Sequence, residues 1–200
     1  MKTLKRIACS VLALAMVIGL TACAPKGFSH KTMQKFCDEQ DFDLTDDAGD
    51  FCDEFVLKTA GQSDDGIYFY GKDKDAQKVY KKIINRFDDF KKYDVAEVTG
   101  FAYSDNDGLT IGFVFTFQNE DDAKKFWKEY GKAFADGGEK GDEKGYSYYI
   151  SNVQSTSYRT SLAGVYLKGN TVLIVRCLSE DTDLVEDLCE AYGVIDPTEA

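Results

Sequence analysis

The sequence predicts an α+β domain, an antiparallel β-sheet with helices packed on one face. Two patterns carry that prediction. Apolar residues recur at three- and four-residue spacing at Ala76, Val79, Tyr80, Ile83, Ile84 and Phe87, at Ala123, Phe126, Trp127, Tyr130 and Phe134, and at Leu184, Val185, Leu188, Cys189 and Tyr192. Each set forms one stripe of a helix. Phe113, Phe115 and Phe117 alternate with Val114 and Thr116, the two-residue period of a strand with an aromatic face against a core. A third observation orders the elements, because a hairpin followed by a helix is predicted three times along the chain.

Thr32 to Gln40 reads as a short helix presenting Met33, Phe36 and Cys37, and Phe42 to Thr45 as an extended piece. Asp43 to Asp53 is too rich in Asp and Gly to specify more than a short helix. The first unit pairs strands Phe55 to Ala60 and Ile67 to Tyr70, followed by a helix from Asp73 to Phe90. The second pairs Asp94 to Tyr103 with Leu109 to Gln118 around Asp105-Asn106-Asp107-Gly108, with a helix from Asn119 to Phe134. The third pairs Tyr158 to Leu167 with Thr171 to Leu178, with a helix from Glu180 to Tyr192. Asp73, Asn119 and Ser179 stand where N-caps belong, with acids in the following turns. Units one and two align at a constant offset, with Tyr68, Tyr70, Ala76, Val79 and Tyr80 opposite Phe115, Phe117, Ala123, Phe126 and Trp127, which predicts a duplication. A ferredoxin-like βαββαβ core with an extra hairpin and helix is the alternative, drawn from Ile67 to Ile150 with Gly145 to Ser151 as its last strand. Gly137 to Gly145 reads as a mobile acidic loop.

The N-terminus has a different character. Lys2, Lys5 and Arg6 precede an apolar run from Ile7 to Leu20, and Leu20-Thr21-Ala22-Cys23 ends it with two small residues before a cysteine. The run falls short of the roughly 20 residues that span a bilayer as a helix, and its layout is that of an export signal. At Leu20-Thr21-Ala22-Cys23 the sequence resembles the bacterial lipoprotein family at its lipobox. The resemblance implies a diacylglyceryl group on the Cys23 thiol and cleavage after Ala22, so that 1–22 is a signal peptide. On this reading 23–31 is a lipidated cysteine and tether and 32–200 a single domain. Ala24 to Lys31 would reach at most about 28 Å, and two acyl chains anchor durably where one does not. In layout the chain is similar to small lipoproteins of Gram-positive bacteria.

Charge and cysteines bound the partners. The chain carries a net charge of −11, more negative still once Lys2, Lys5 and Arg6 leave. That excludes nucleic acid and disfavours a domain lying flat on anionic lipid. Membrane contact is therefore expected through the lipid alone. Cys37, Cys52, Cys177 and Cys189 remain after Cys9 is cleaved and Cys23 acylated. In an oxidising compartment an even number predicts two disulfides, with Cys37 to Cys52 and Cys177 to Cys189 favoured by proximity in sequence. No CxxC spacing or nearby histidine supports a metal site.

His30 reads as a solvated tether residue, which leaves the domain without a histidine for nucleophilic or zinc chemistry. Asp105 to Gly108 is a hairpin turn, because a calcium loop would need an acid where Tyr103 and Val114 stand. Trp127 and the aromatic stripes read as core. The segment that could recognise a ligand is Gly145 to Thr160, where Tyr146, Tyr148, Tyr149 and Tyr158 alternate with hydroxyls and amides. The resulting expectation is a non-catalytic, lipid-anchored extracytoplasmic protein, without cofactor, that binds a protein or an envelope polymer near the membrane. An extracytoplasmic hydrolase using paired carboxylates and an inhibitor or assembly chaperone are the alternatives.

Overall fold

The computed structural model describes residues 27–60, 65–84, 92–105, 108–135, 138–143, 145–154, 160–179 and 181–199. Helix α1 (His30–Glu39), strand β1 (Asp43–Leu44) and helix α2 (Ala48–Thr59) lead into β2 (Asp65–Lys72). Helix α3 (Asp73–Val79) passes directly into a π-helical turn, Tyr80–Ile84. Strands β3 (Val95–Ser104) and β4 (Leu109–Phe117) form a hairpin before α4 (Glu120–Phe134). Strands β5 (Glu139–Glu143), β6 (Tyr146–Gln154), β7 (Thr160–Lys168) and β8 (Thr171–Cys177) follow as a meander, and α5 (Asp183–Tyr192) closes the fold.

All eight strands form one sheet in the order β1-β2-β3-β4-β8-β7-β6-β5. Among the described strands, only β1 and β2 pair in parallel. The fold is α+β as the sequence predicts, but its helices cover both faces of the sheet. The reason lies in the strands. On β8, Val172 and Ile174 point to one core and Leu173 and Val175 to the other, all buried, so each face needs a cover. Helices α2, α3 and α4 supply it on one side through Phe51, Val79 and Phe126. Helices α1 and α5 supply it on the other through Met33, Phe36, Val185 and Leu188.

The repeat does not survive. Phe55 to Ala60, expected as a strand, is the end of α2, which starts early because the Asp47 carboxylate accepts from the Gly49 and Asp50 amides. Phe51, Cys52 and Phe55 then fall on one buried helical stripe. The offset aligns the helices face for face, yet Tyr68 lies in one core and its counterpart Phe115 in the other, a one-residue slip that inverts a strand. Units two and three do share a hairpin and a helix, but α4 and α5 cover opposite faces. The ferredoxin-like alternative also fails, since β6 would have to lie beside β2, and β7 and β8 separate it from the β2-β3-β4 group.

Sequence caps hold unevenly. Asn119 caps α4 by accepting from the Asp122 amide at 2.9 Å. Asp73 is the first residue of α3 and has a positive φ of 49°. The expected Ser179 cap gives way to Thr182, and α5 begins at Asp183. Asp105 makes the expected turn, its carboxylate accepting from the Gly108 amide at 2.9 Å. The expected acidic loop is largely strand β5, whose alternating charges suit an unpaired edge.

Two glycines are demanded by close approach. Gly100 pairs with Phe113 and Gly112 with Phe101 across β3 and β4. Each ring lies over the glycine opposite, one pair on each face, and a Cβ at either position would enter the ring.

The segment expected as a tether is part of the fold from Gly27 onward. Phe28 is 6% exposed and packs 5.8 Å from the Tyr192 ring and 6.5 Å from Tyr146. Its amide donates to Thr171 Oγ1 at 2.7 Å. The Ser29 carbonyl accepts from the Tyr192 hydroxyl at 2.8 Å. Cys23 and residues 1–22 lie outside the described residues.

Neither expected disulfide is formed: the sheet separates Cys37 from Cys52, and Cys177 and Cys189 are unbonded although they lie in one core. Cys37, Cys52, Cys177 and Cys189 are all free thiols, and all are buried. Cys37 belongs to one core and Cys52 to the other, so the sheet stands between the members of that pair. Cys177 accepts a hydrogen bond from Thr110 at 3.3 Å, and Cys189 lies 3.8 Å from the Tyr166 hydroxyl. Burial pushes the Cys52 thiol up to about 11 and Cys189 up to about 12, and it raises Cys37 and Cys177 too. The four act as small apolar residues.

Gly100→Val is expected to cost at least about 2 kcal/mol through overpacking against Phe113, measured by urea unfolding. Phe28→Ala should cost about 3 kcal/mol in the same assay. A soluble chain from residue 24 should show no rapidly reacting thiol with Ellman's reagent when native and all four when unfolded without reductant; a disulfide would lower the unfolded count.

Candidate functional site

A cleft of about 470 Å³ opens at the turn end of β5 to β8. Three pieces of chain build it. The Asn119 cap starts α4 so that Glu120, Lys124 and Trp127 follow one another along a single stripe into the cleft. The β5 to β6 hairpin turns at Gly145, whose φ of 87° suits glycine. Its register sets Asp142 opposite Ser147 and Glu143 opposite Tyr146. The β7 to β8 turn adds Leu167 and Gly169.

Trp127 is fixed at the base. Its indole N–H donates to the Val165 carbonyl at 2.9 Å, and its ring lies 4.6 Å from Tyr149. The Lys140 ammonium sits 5.7 Å from the Trp127 ring and 5.1 Å from Tyr149, close enough for cation–π attraction. Ser147 donates to the Asp142 carboxylate. The rim thus carries Glu120, Asp142 and Glu143 against Lys124. With Lys124 on the rim and Lys140 already over the rings, the three acids leave the opening a small negative balance, which favours a cationic group.

The expected tyrosine surface is divided by the strand period. Tyr146 and Tyr149 are buried in opposite cores. Tyr146 borders the cleft, and its hydroxyl oxygen accepts from the Ile195 amide at 3.0 Å. Tyr148 is half-buried on the Tyr146 side, 6.3 Å away. Tyr158 lies outside the described residues. High strand preference accounts for most of this cluster, and only Tyr146 reaches the site.

The acids of the cleft escaped sequence reasoning, because Glu120 read as a helix-dipole residue and Asp142 and Glu143 as loop. A polar run ending at Gly145 and facing the Tyr146 strand was the available signal. No described Asp or Glu is fully buried. No described group of three His, Cys, Asp or Glu is arranged to hold a metal.

His30 is a second surprise. It is the first residue of α1, with a side chain only 10% exposed. Its Nδ1 lies 2.9 Å from Thr99 Oγ1 and its Nε2 2.8 Å from Thr116 Oγ1. Threonine hydroxyls donate or accept, so they satisfy both nitrogens of a neutral imidazole. Burial lowers its pKa to about 4, with Glu97 pulling it up and Lys72 pushing it down. The ring therefore pins the chain entry onto β3 and β4.

The chain matches no protein-family model and no curated protein. Among solved structures, the extracellular domain of PknH from Mycobacterium tuberculosis overlaps 70% of this chain and 88% of its own at 11% identity, with a TM-score of 0.37. A GTP binding regulator from Thermotoga maritima overlaps 74% and 90% at 13% identity, with a TM-score of 0.34. Neither overlap is deep enough to carry family or function. Among the described residues no helix is long and apolar enough to cross a membrane.

Unfolded chain with a histidine near 6.5 takes up a proton that folded His30 accepts only near 4. Stability from His30 is therefore fully present above about pH 6.5 and lost as pH falls toward 4, by up to roughly 3 kcal/mol. Urea midpoints from pH 8 to 4 should fall more steeply for the native chain than for His30→Gln; parallel curves would contradict this.

Proposed function

We propose that the chain is a lipid-anchored extracytoplasmic binding protein, attached through Cys23, whose cleft takes a basic segment of a protein partner near the membrane. The observation that carries this reading is the set of Glu120, Asp142 and Glu143 around the Trp127 base, with Lys124 as counter-charge. The overall charge of −11 works in the same direction by drawing cationic partners in. The anchor follows from the lipobox resemblance. Because Gly27 already belongs to the fold, the free length between Cys23 and the domain is about 14 Å at most, half the reach expected for the full tether. A partner would thus be met close to the bilayer surface.

Two experiments test the two halves separately. Cys23→Ser should leave the protein unlipidated, either released from the membrane fraction or retained unprocessed; unaltered lipid labelling would refute the anchor. The soluble chain from residue 24 should bind a lysine-rich peptide, with affinity falling as ionic strength rises. Reversing Glu120 and Asp142 together to Lys should weaken that binding at least tenfold with unfolding unchanged. Equal affinity in the double variant would remove the cleft from the proposal.

A further inference from the structure

A second opening lies at the other end of the same sheet face, and it shares no lining residue with the cleft. It has a volume of about 250 Å³, comparable to roughly eight waters at ~30 Å³ each. Ile111 and Leu178 give it an apolar floor, and Phe55, Ile83 and Phe134 give it walls from three helical pieces. Here α2 and α4 approach their C-termini and α3 has given way to the π-helical turn. Single π turns inside helices are frequent at functional sites. Val56, at the mouth, is 39% exposed, one of three large hydrophobic residues so exposed among those described.

The charges among its described lining residues have one sign. Lys82 and Arg176 line the opening, and no Asp or Glu is among the described lining residues, in a chain of net charge −11. The Lys82 ammonium is partnered by Asp53 at 3.3 Å outside the lining. The Arg176 guanidinium lies 4.2 Å from the Phe134 ring centroid, and the Tyr130 hydroxyl takes one of its hydrogen bonds. Its Nε is buried without a hydrogen-bond partner among the described residues. An incoming anion would meet the partly exposed Arg176 side chain in a charge-assisted hydrogen bond.

We propose that this opening binds a linear aliphatic carboxylate of medium chain length, with its head on Arg176 and its tail along Ile111 and Phe55 toward Val56. Apolar walls supply affinity for the tail, and the guanidinium supplies selection for an anion. A neutral hydroxyl head would accept from Arg176 without charge assistance, and a cationic head would set like charges together, so discrimination resides in the head rather than the tail.

Titration calorimetry on the chain from residue 24 tests this with decanoate, decanol, decyltrimethylammonium and acetate as probes. Decanoate should bind one to one and at least tenfold more tightly than decanol or the quaternary ammonium, with acetate too weak to measure. Arg176→Gln should bring decanoate and decanol to equal affinity. Should that variant fail to fold, Val56→Trp at the partly exposed mouth decides: it should weaken decanoate at least tenfold with an unchanged Tm. Decanol binding as tightly as decanoate to the native chain, undiminished binding by Val56→Trp, or no decanoate binding would each overturn the proposal. None of these results bears on the lysine-rich peptide, so the two readings fail independently.

Discussion

The pairing of β4 with β8 is the contact on which everything else rests. It runs from Thr110 opposite Cys177 to Thr116 opposite Thr171 and joins two groups of strands that have no other ladder in common. Both cores cross this seam, Phe113, Phe115 and Ile174 on one face and Val114, Leu173 and Val175 on the other. Because its partners lie far apart in sequence, the seam carries a high loop-closure cost and forms only when both meanders can meet. The two openings lie at opposite ends of it. Gly169 borders the cleft beside Thr171, and Arg176 and Leu178 border the apolar opening past the other end. Helix α4 spans the distance, with Glu120 at the first and Phe134 at the second, roughly 20 Å apart at 1.5 Å per residue.

Local patterns made much of the fold legible. The stripe from Ala123 to Tyr130 and the alternation from Phe113 to Phe117 are strong because one period dominates, and α4 and β4 appear where they are expected. Which face each helix covers was not legible. Val172 to Val175 is apolar at every position, and a run buried on both sides has no period from which to read a direction. The Phe55 to Ala60 segment failed for a related reason. Its helical stripe begins at Ala48 and Phe51, inside a stretch whose Asp and Gly content hid both the cap at Asp47 and the first turn.

The sites were harder to foresee because their residues are remote in sequence and ordinary in type. Glu120, Asp142 and Tyr146 become neighbours only through the register of β5 on β6 and the seating of α4. Arg176 is one polar residue at the end of an apolar strand, and its position on the same face as Ile174 puts it beneath Phe134. The cysteines misled through a compartment argument. Pairing in an oxidising space presumes reach, and the sheet denies that reach to Cys37 and Cys52.

The docked segment from Gly27 to His30 has a mechanical meaning. Phe28 holds to Thr171 on β8 through its amide, and His30 holds to Thr99 and Thr116 on β3 and β4 through its ring. A pull on the chain ahead of Gly27 loads these attachments before it loads any β-ladder.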